Sequence, residues 1–89
     1  MPSDDAIAGV IEQLALARGP AASFCPSEAA RALAGDAGWR ALMPRVREAA
    51  ARLQAAGRIE VTQRGQAVAM AQVRGPVRLR LAAGEGGRC

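Results

Sequence analysis

The spacing of hydrophobic residues in the first two thirds of the chain predicts helices, because apolar positions recur every three or four residues. The first helix is predicted from Asp4 to Arg18, with Ser3 as its N-cap and Gly19-Pro20 ending it. This helix is assigned to packing, because one of its faces is apolar. The residues expected on that face are Ile7, Val10, Ile11 and Leu14.

A second, shorter helix is predicted to begin at Cys25 or Pro26 and to end before Gly35. Proline suits the first helical position, and the carboxylate of Glu28 can reach back toward the free N–H groups of the first turn. The segment Gly35-Asp36-Ala37-Gly38 is predicted to be a loop before the next helix.

A third helix is predicted within the stretch from Trp39 to Ile59. Pro44 is expected in its first turn, where a missing N–H is tolerated, and Gly57 at the left-handed position that ends it. Trp39 is expected to pack at the start of this helix, the alternative being that it stacks on a base. The predicted buried stripe consists of Leu42 or Met43, Val46, Ala49 or Ala50, and Leu53.

After the third helix the hydrophobic pattern becomes alternating, which predicts β-strands. Residues 58–61 and 77–81 are predicted strands, and residues 63–66 are a predicted turn. Residues 67–74 fit either a strand or a wing loop, because the alternation loses its parity there. Residues 22–24 are a candidate for a brief strand that pairs with the wing.

Three helices followed by a two- or three-stranded antiparallel wing make an α+β fold of the winged helix-turn-helix class. A chain of 89 residues is long enough for one domain, which we assign to residues 1–81. Residues 82–89 lack a packing face and are predicted to be a disordered C-terminal tail.

Three sequence blocks resemble the signature of a small bacterial family, known as a domain of unknown function with a winged-helix-like fold. The blocks are Ser23–Arg31, Trp39–Arg47 and Gly75–Arg78, and the resemblance covers roughly residues 5–81. The resemblance implies the fold. It implies no activity, substrate or catalytic residue.

The charge of the chain is basic and unevenly distributed. All 12 basic residues are arginine. Residues 1–38 contain two arginines and five carboxylates, whereas residues 39–89 contain ten arginines and three carboxylates. This asymmetry predicts that the second half faces a polyanion, the alternative being a solvated charged surface.

The arginines of the third helix and the wing carry the functional prediction, which is binding of duplex DNA. Arg45 and Arg52 lie on one outward stripe of the third helix with Arg47 beside them, and all three are expected to face a DNA groove, where helix side chains read bases. Arg64 at the expected wing tip and the outward-facing Arg78 and Arg80 of the last strand are expected to contact phosphates.

Glu48 on the same helix face argues against this function, because a carboxylate repels phosphate. RNA binding and a protein–protein interaction module with an acidic partner are the alternatives. The candidate nucleic-acid-binding residues are Arg40, Arg45, Arg47, Arg52, Arg64, Arg78 and Arg80.

Enzymatic, metal-binding and cofactor-binding functions are not predicted. The chain has no histidine, lysine or tyrosine, which removes the commonest general base and the Schiff-base nucleophile. Two cysteines 64 positions apart cannot complete a tetrahedral metal site. Cys25 is expected to fill the start of the second helix, the alternative being a redox-active thiol.

No membrane association is predicted, because no run of about 18 apolar residues occurs. The acidic start lacks the basic and apolar segments of a signal peptide. With only two cysteines, a cytoplasmic location is expected.

Overall fold

The structure, a computed structural model, describes residues 2–82. Two helices are followed by a three-stranded antiparallel sheet, which confirms the α+β class. Of the predicted tail, only Ala82 belongs to the described part of the chain, and residues 83–89, including Cys89, lie outside it. In chain order the elements are α1 (Asp4–Arg18), α2 (Pro26–Ala55), β1 (Ile59–Gln63), β2 (Gln66–Ala67) and β3 (Arg78–Leu81).

Helix α1 has the predicted bounds, because its end signals are local. The Ser3 hydroxyl accepts a hydrogen bond of 3.1 Å from the backbone N–H of Ala6. At the other end Gly19 adopts a φ of 79°, which favours glycine. Ile7 and Ile11 are fully buried, whereas the other two residues of the predicted stripe are half-buried.

The start of α2 also follows the sequence prediction. Pro26 is the first helical residue, and Glu28 accepts a hydrogen bond of 3.3 Å from the backbone N–H of Cys25. Arg18, at the end of α1, forms an ion pair of 2.5 Å with the same carboxylate. This pair lowers the pKa of Glu28, chiefly through the hydrogen bond from Arg18. Glu28 therefore joins the end of α1 to the start of α2.

The predicted loop at residues 35–38 is wrong, since residues 36–38 are helical. One element, α2, spans the second and third predicted helices, and its backbone leaves helical geometry only at Gly35 (φ 74°, ψ −177°). A single glycine is enough to break the helix there, because it adopts a positive φ without a Cβ penalty. The loop was predicted because two glycines in four residues usually mark a turn.

The predicted place of Pro44 in a first helical turn is also wrong. Because helical backbone resumes at Asp36, Pro44 lies in the interior of α2. Its fixed φ is compatible with helix, but the carbonyl of Arg40 has no N–H donor at the usual position. The prolyl ring is exposed, so water can reach this side of the helix.

The end of α2 has the predicted glycine cap. Gly57 adopts a φ of 78°. The backbone N–H of Arg58 donates to Leu53 O over 2.9 Å, and that of Gly57 donates to Gln54 O over 3.0 Å. This pair of bonds is a Schellman motif, which satisfies the last helical carbonyls and turns the chain into β1.

The sheet has the strand order β2-β1-β3. Val61 pairs with Leu79, and Glu60 pairs with Arg80. Phe24 forms an isolated antiparallel bridge with Leu79 through two hydrogen bonds of 2.8 Å. Of the candidate strand at residues 22–24, only Phe24 therefore pairs with the sheet. Residues 67–74, which fitted a strand or a loop, are loop apart from Ala67 at the end of β2.

The core lies between the two helices and one face of the sheet. Phe24 is fully buried at its centre, and all residues named for the stripe of the third predicted helix are buried except Met43, which is half-buried. Alanines occupy much of the helix contact, so the helices approach closely. The core residues on α2, β1 and β3 with the largest side chains are Leu42, Val46, Leu53, Ile59, Val61 and Leu79.

Candidate functional site

The hairpin between β1 and β2 presents an arginine at its tip. Gln63 and Gln66 pair across the hairpin, so Arg64 and Gly65 form a two-residue loop. Both loop residues have positive φ, 55° for Arg64 and 81° for Gly65, which is the geometry of a type I′ turn. Glycine adopts it freely, whereas arginine does so at a cost. The Arg64 side chain is exposed, as predicted for the wing tip.

The long segment between β2 and β3 is held in place by the side chain of Gln54 on α2. Its Nε2 donates to Val68 O over 2.7 Å, and its Oε1 accepts from the backbone N–H of Met70 over 2.8 Å. Met70 is buried against the core. The amide thus replaces the ladder hydrogen bonds that an irregular segment lacks.

The later part of this segment is held from both sides by two more side chains. Gln63 Nε2 donates to the carbonyls of Arg74 and Pro76 over 2.6 and 3.1 Å. Arg47 donates to the carbonyls of Val73 and Gly75 over 3.4 and 3.2 Å. Arg47 is predicted to face a DNA groove. In the structure its guanidinium donates instead to backbone carbonyls of the segment between β2 and β3.

An open groove of about 520 Å³ lies between the hairpin tip and residues 74–78. Three arginines line it: Arg64, Arg74 and Arg78. No carboxylate is among the lining residues that the structure describes. We call this feature the wing groove. Its charge can be neutralised only from outside the groove.

The three guanidinium groups differ in how they are held. Within residues 2–82 the side chains of Arg64 and Arg74 have no hydrogen-bond or ion-pair partner. Arg78 donates from Nε to Ser23 Oγ over 3.0 Å and from Nη2 to Ser23 O over 2.9 Å. These bonds fix the Arg78 guanidinium beside the groove. Arg78 forms no direct ion pair among the described residues, although its charge contributes to the lowered pKa of Glu28.

Arg80, the other predicted strand arginine, lies on the same face of β3 as Arg78 but has an acidic partner. Its Nε donates to Glu60 Oε1 over 2.8 Å, directly across the β1–β3 ladder. The sequence prediction of two outward arginines on this strand is confirmed, but only Arg78 lines the wing groove.

Two of the predicted helix arginines contact α1. Arg45 forms an ion pair of 2.7 Å with Asp4, and Arg52 lies 3.9 Å from the other oxygen of the same carboxylate. The hydrogen bond from Arg45, followed by its charge, lowers the pKa of Asp4. The charges of Arg45 and Arg52 are therefore partly neutralised by Asp4 within the domain.

Arg40, the remaining predicted residue, lies against Trp39. Its guanidinium carbon is 4.8 Å from the centroid of the indole ring, and that of Arg31 is 4.5 Å from the same centroid. Both arginines are exposed and Trp39 is half-buried against the core. The expected packing role of Trp39 is confirmed, together with two cation–π contacts.

The structure therefore brings together Arg64 and Arg78 on the wing groove, which no arginine of α2 lines. Sequence reasoning missed Arg74, because its segment fitted either a strand or a loop. The Gly75-Pro76 pair that follows it was the available signal, since such a pair turns the chain. It also missed Arg31, which was assigned no partner.

The described residues contain no cluster of metal-ligating side chains. Within residues 2–82, no three His, Cys, Asp or Glu side chains approach closely enough to hold a metal ion. Cys25 is a free, half-buried thiol, and the Ser27 hydroxyl donates to its sulfur over 3.1 Å. Neither described helix is long and apolar enough to cross a membrane.

Comparison with known proteins identifies the family. A family model described as a protein of unknown function, DUF3253, matches residues 4–82. The match covers most of the 89 residues, so the chain belongs to this family. The resemblance to a domain-of-unknown-function family is thereby confirmed. A search of curated proteins found no match.

Proposed function

We propose that this domain binds the phosphate backbone of duplex DNA through the wing groove. The observation that carries the proposal is the convergence of Arg64, Arg74 and Arg78 on one open groove without a lining carboxylate. Arginine is suited to phosphate because its planar donors match two oxygens at once. Three such groups around one concave surface fit a chain of phosphodiesters.

Interpretation of the fold as a winged helix supports this function. The two parts of α2 on either side of Gly35 correspond to the second and third helices of that fold. The bridge at Phe24 provides the short strand after the first helix, and it pairs with β3, which in turn pairs with β1. Residues 64–77 then correspond to the wing. In this arrangement the wing groove lies on the element expected to contact the DNA backbone.

Preorganisation of the wing also supports phosphate binding. The side chains of Gln54, Gln63 and Arg47 hold the segment between β2 and β3 through six hydrogen bonds. Arg78 is itself fixed by Ser23. Because the backbone of the groove is already ordered, little further entropy is lost when a phosphate is bound.

Contact with phosphates rather than base reading is favoured by the exposed residues in the stretch 41–48 of α2. Ala41, Pro44 and Glu48 are exposed and supply no donor for a phosphate or for guanine. Arg45 is paired with Asp4, and Arg47 with the wing carbonyls. We therefore propose binding with little sequence preference, since phosphate contacts carry no sequence information.

The test is a titration of labelled duplex by fluorescence anisotropy at several salt concentrations. The double variant Arg64→Asn/Arg74→Gln removes two groove charges, and Asn-Gly is the favoured pair for the existing type I′ turn. Folding should therefore be retained. Three phosphate contacts in the wing groove contribute about −3 to the log–log salt slope of the wild type, and the variant should flatten the slope by about 2.

The matched control is Arg18→Gln/Arg58→Gln, which removes two arginines that pair with Glu28 and Glu12 and do not line the groove. It should retain most of the slope. Equal slopes for the two double variants would contradict the proposal, because net charge alone would then explain binding. RNA duplex and poly-glutamate serve as parallel probes. Tighter binding of either than of duplex DNA would favour the corresponding alternative function.

A further inference from the structure

The indole of Trp39 is covered by two guanidinium groups that come from different parts of α2. Arg31 precedes the break at Gly35, and Arg40 follows it. The guanidinium carbons lie 4.5 and 4.8 Å from the ring centroid. In an uninterrupted helix, Arg31 and Trp39 would be separated by about 12 Å along the axis. The non-helical backbone at Gly35 lets them meet.

The two guanidinium groups are ordered by the ring but keep their hydrogen-bonding capacity. Among the residues that the structure describes, neither side chain has a hydrogen-bond or ion-pair partner. The nearest carboxylates along the chain are Glu28 for Arg31 and Asp36 for Arg40. Glu28 pairs with Arg18, and Asp36 forms an ion pair with neither arginine. Stacking on an aromatic face uses the plane of a guanidinium and leaves its N–H groups at the edge. Each group can therefore donate to an anion.

This arrangement differs from that of the arginines that join elements of the domain. Arg18, Arg45, Arg58 and Arg80 each lie within 2.9 Å of a carboxylate oxygen. Those charges are compensated inside the fold. The pair over Trp39 carries two positive charges that have no such compensation, on a surface that is exposed.

We propose that Arg31 and Arg40, held on Trp39, form a second phosphate-binding site at the break in α2. The ligand class is the phosphodiester backbone, and this choice of ligand rests on the proposed function. The site is distinct from the wing groove, with which it shares no residue. A duplex that occupies both sites is contacted by α2 and by the wing.

Trp39 provides a direct readout of this site, because the chain contains one tryptophan and no tyrosine. When a phosphate binds the guanidinium groups, their contact with the indole ring changes. The fluorescence emission of Trp39 changes as a result. In a titration with unlabelled duplex, excited at the red edge of tryptophan absorption, the emission change should have the same midpoint as the anisotropy change of labelled duplex.

The decisive variant is Arg31→Gln/Arg40→Gln, with Arg18→Gln/Arg58→Gln as the control for loss of two charges. The first should flatten the salt slope by about 2, at roughly 0.9 per phosphate, and the control should not. Circular dichroism establishes that both variants fold. The variant Arg64→Asn/Arg74→Gln should bind more weakly and still change the emission of Trp39.

Two results overturn the inference and are distinguishable. In the first, anisotropy shows duplex binding, the emission of Trp39 stays constant, and Arg31→Gln/Arg40→Gln has the same salt slope as its control. This result rules out the second site and leaves the wing groove as the binding site. No anisotropy change with the folded wild-type protein at low salt removes the proposed function and this site together. An emission change in step with binding supports the site.

Discussion

The carboxylate of Asp4 in the first turn of α1 accepts a hydrogen bond of 2.7 Å from Arg45, 41 positions later on α2. Arg52 approaches the other carboxylate oxygen to 3.9 Å. One acid at the start of α1 therefore occupies two arginines that the sequence pattern assigns to a DNA-facing stripe. This contact also holds the N-terminus of α1 against α2, in addition to their apolar packing.

Asp4→Asn is predicted to strengthen duplex binding if Arg45 and Arg52 face the DNA once they are released. The substitution keeps the size of the side chain and removes the charge that competes with phosphate. The salt slope should then become steeper, since each additional phosphate contact contributes about 0.9. The measurement is anisotropy at several salt concentrations.

The control for this prediction is Asp5→Asn, which removes an equal charge next to Asp4 in the same helical turn. Asp5 has no ion-pair partner among the described residues. If the two variants bind duplex with the same slope, Arg45 and Arg52 are structural residues only and do not contact the DNA.

Gln54→Ala is predicted to loosen the wing, because its amide makes two hydrogen bonds to the backbone of Val68 and Met70. Losing a partner of a part-buried backbone group costs about 1–3 kcal/mol, which a denaturant titration measures. Hydrogen exchange at the Met70 amide should also become faster. Gln66→Ala, at an exposed position in β2, should change stability by less than about 0.5 kcal/mol.

Pro44→Ala is predicted to stabilise the domain. Alanine restores an N–H donor for the carbonyl of Arg40, and proline in a helix interior costs up to about 3 kcal/mol relative to alanine. Pro26→Ala is the contrasting variant, because Pro26 is buried and occupies the first helical position, where proline is favourable. Thermal unfolding should show opposite shifts, and a lower midpoint for Pro44→Ala would refute the prediction.

The Arg18–Glu28 pair predicts a loss of stability in acid. Its hydrogen bond lowers the pKa of Glu28 below the ordinary value of 4.5. A carboxylate with a lowered folded pKa contributes stability that is present above the unfolded value and is lost as the pH falls through the folded one. Glu28→Gln should therefore flatten the dependence of the unfolding midpoint on pH below about 5.

The control for the acid prediction is Glu48→Gln, because Glu48 is exposed and lacks a hydrogen-bond partner within residues 2–82. This variant should follow the wild-type curve of unfolding midpoint against pH. If Glu28→Gln and Glu48→Gln show the same curve, the ion pair with Arg18 contributes nothing measurable in solution.

The unequal charge of the two halves has a structural role that its sequence pattern did not reveal. Asp4 of the acidic half pairs with Arg45, and Glu12 pairs with Arg58 over 2.9 Å. Part of the unequal charge therefore serves to form ion pairs that join α1 to later parts of the chain. The arginines that form no ion pair within the described residues are Arg31, Arg40, Arg47, Arg64, Arg74 and Arg78.

The sequence by itself determined the elements whose signals are local. The starts of α1 and α2 follow from side chains that bond to backbone three residues away. The ends of the two helices follow from the positive φ of Gly19 and Gly57. The buried stripes follow from helical periodicity in the same way. Such signals depend only on neighbouring residues, so they can be interpreted without knowing the fold.

Tertiary structure decided which arginines remain available. A helical pattern shows the face on which Arg45 or Arg47 lies, but their partners are Asp4 and the carbonyls of Val73 and Gly75, at least 26 positions away. Likewise, Arg74 joins the wing groove because Gln63 holds its backbone there. Whether a surface arginine has an acceptor close in space, and which acceptor it is, depends on how the chain packs.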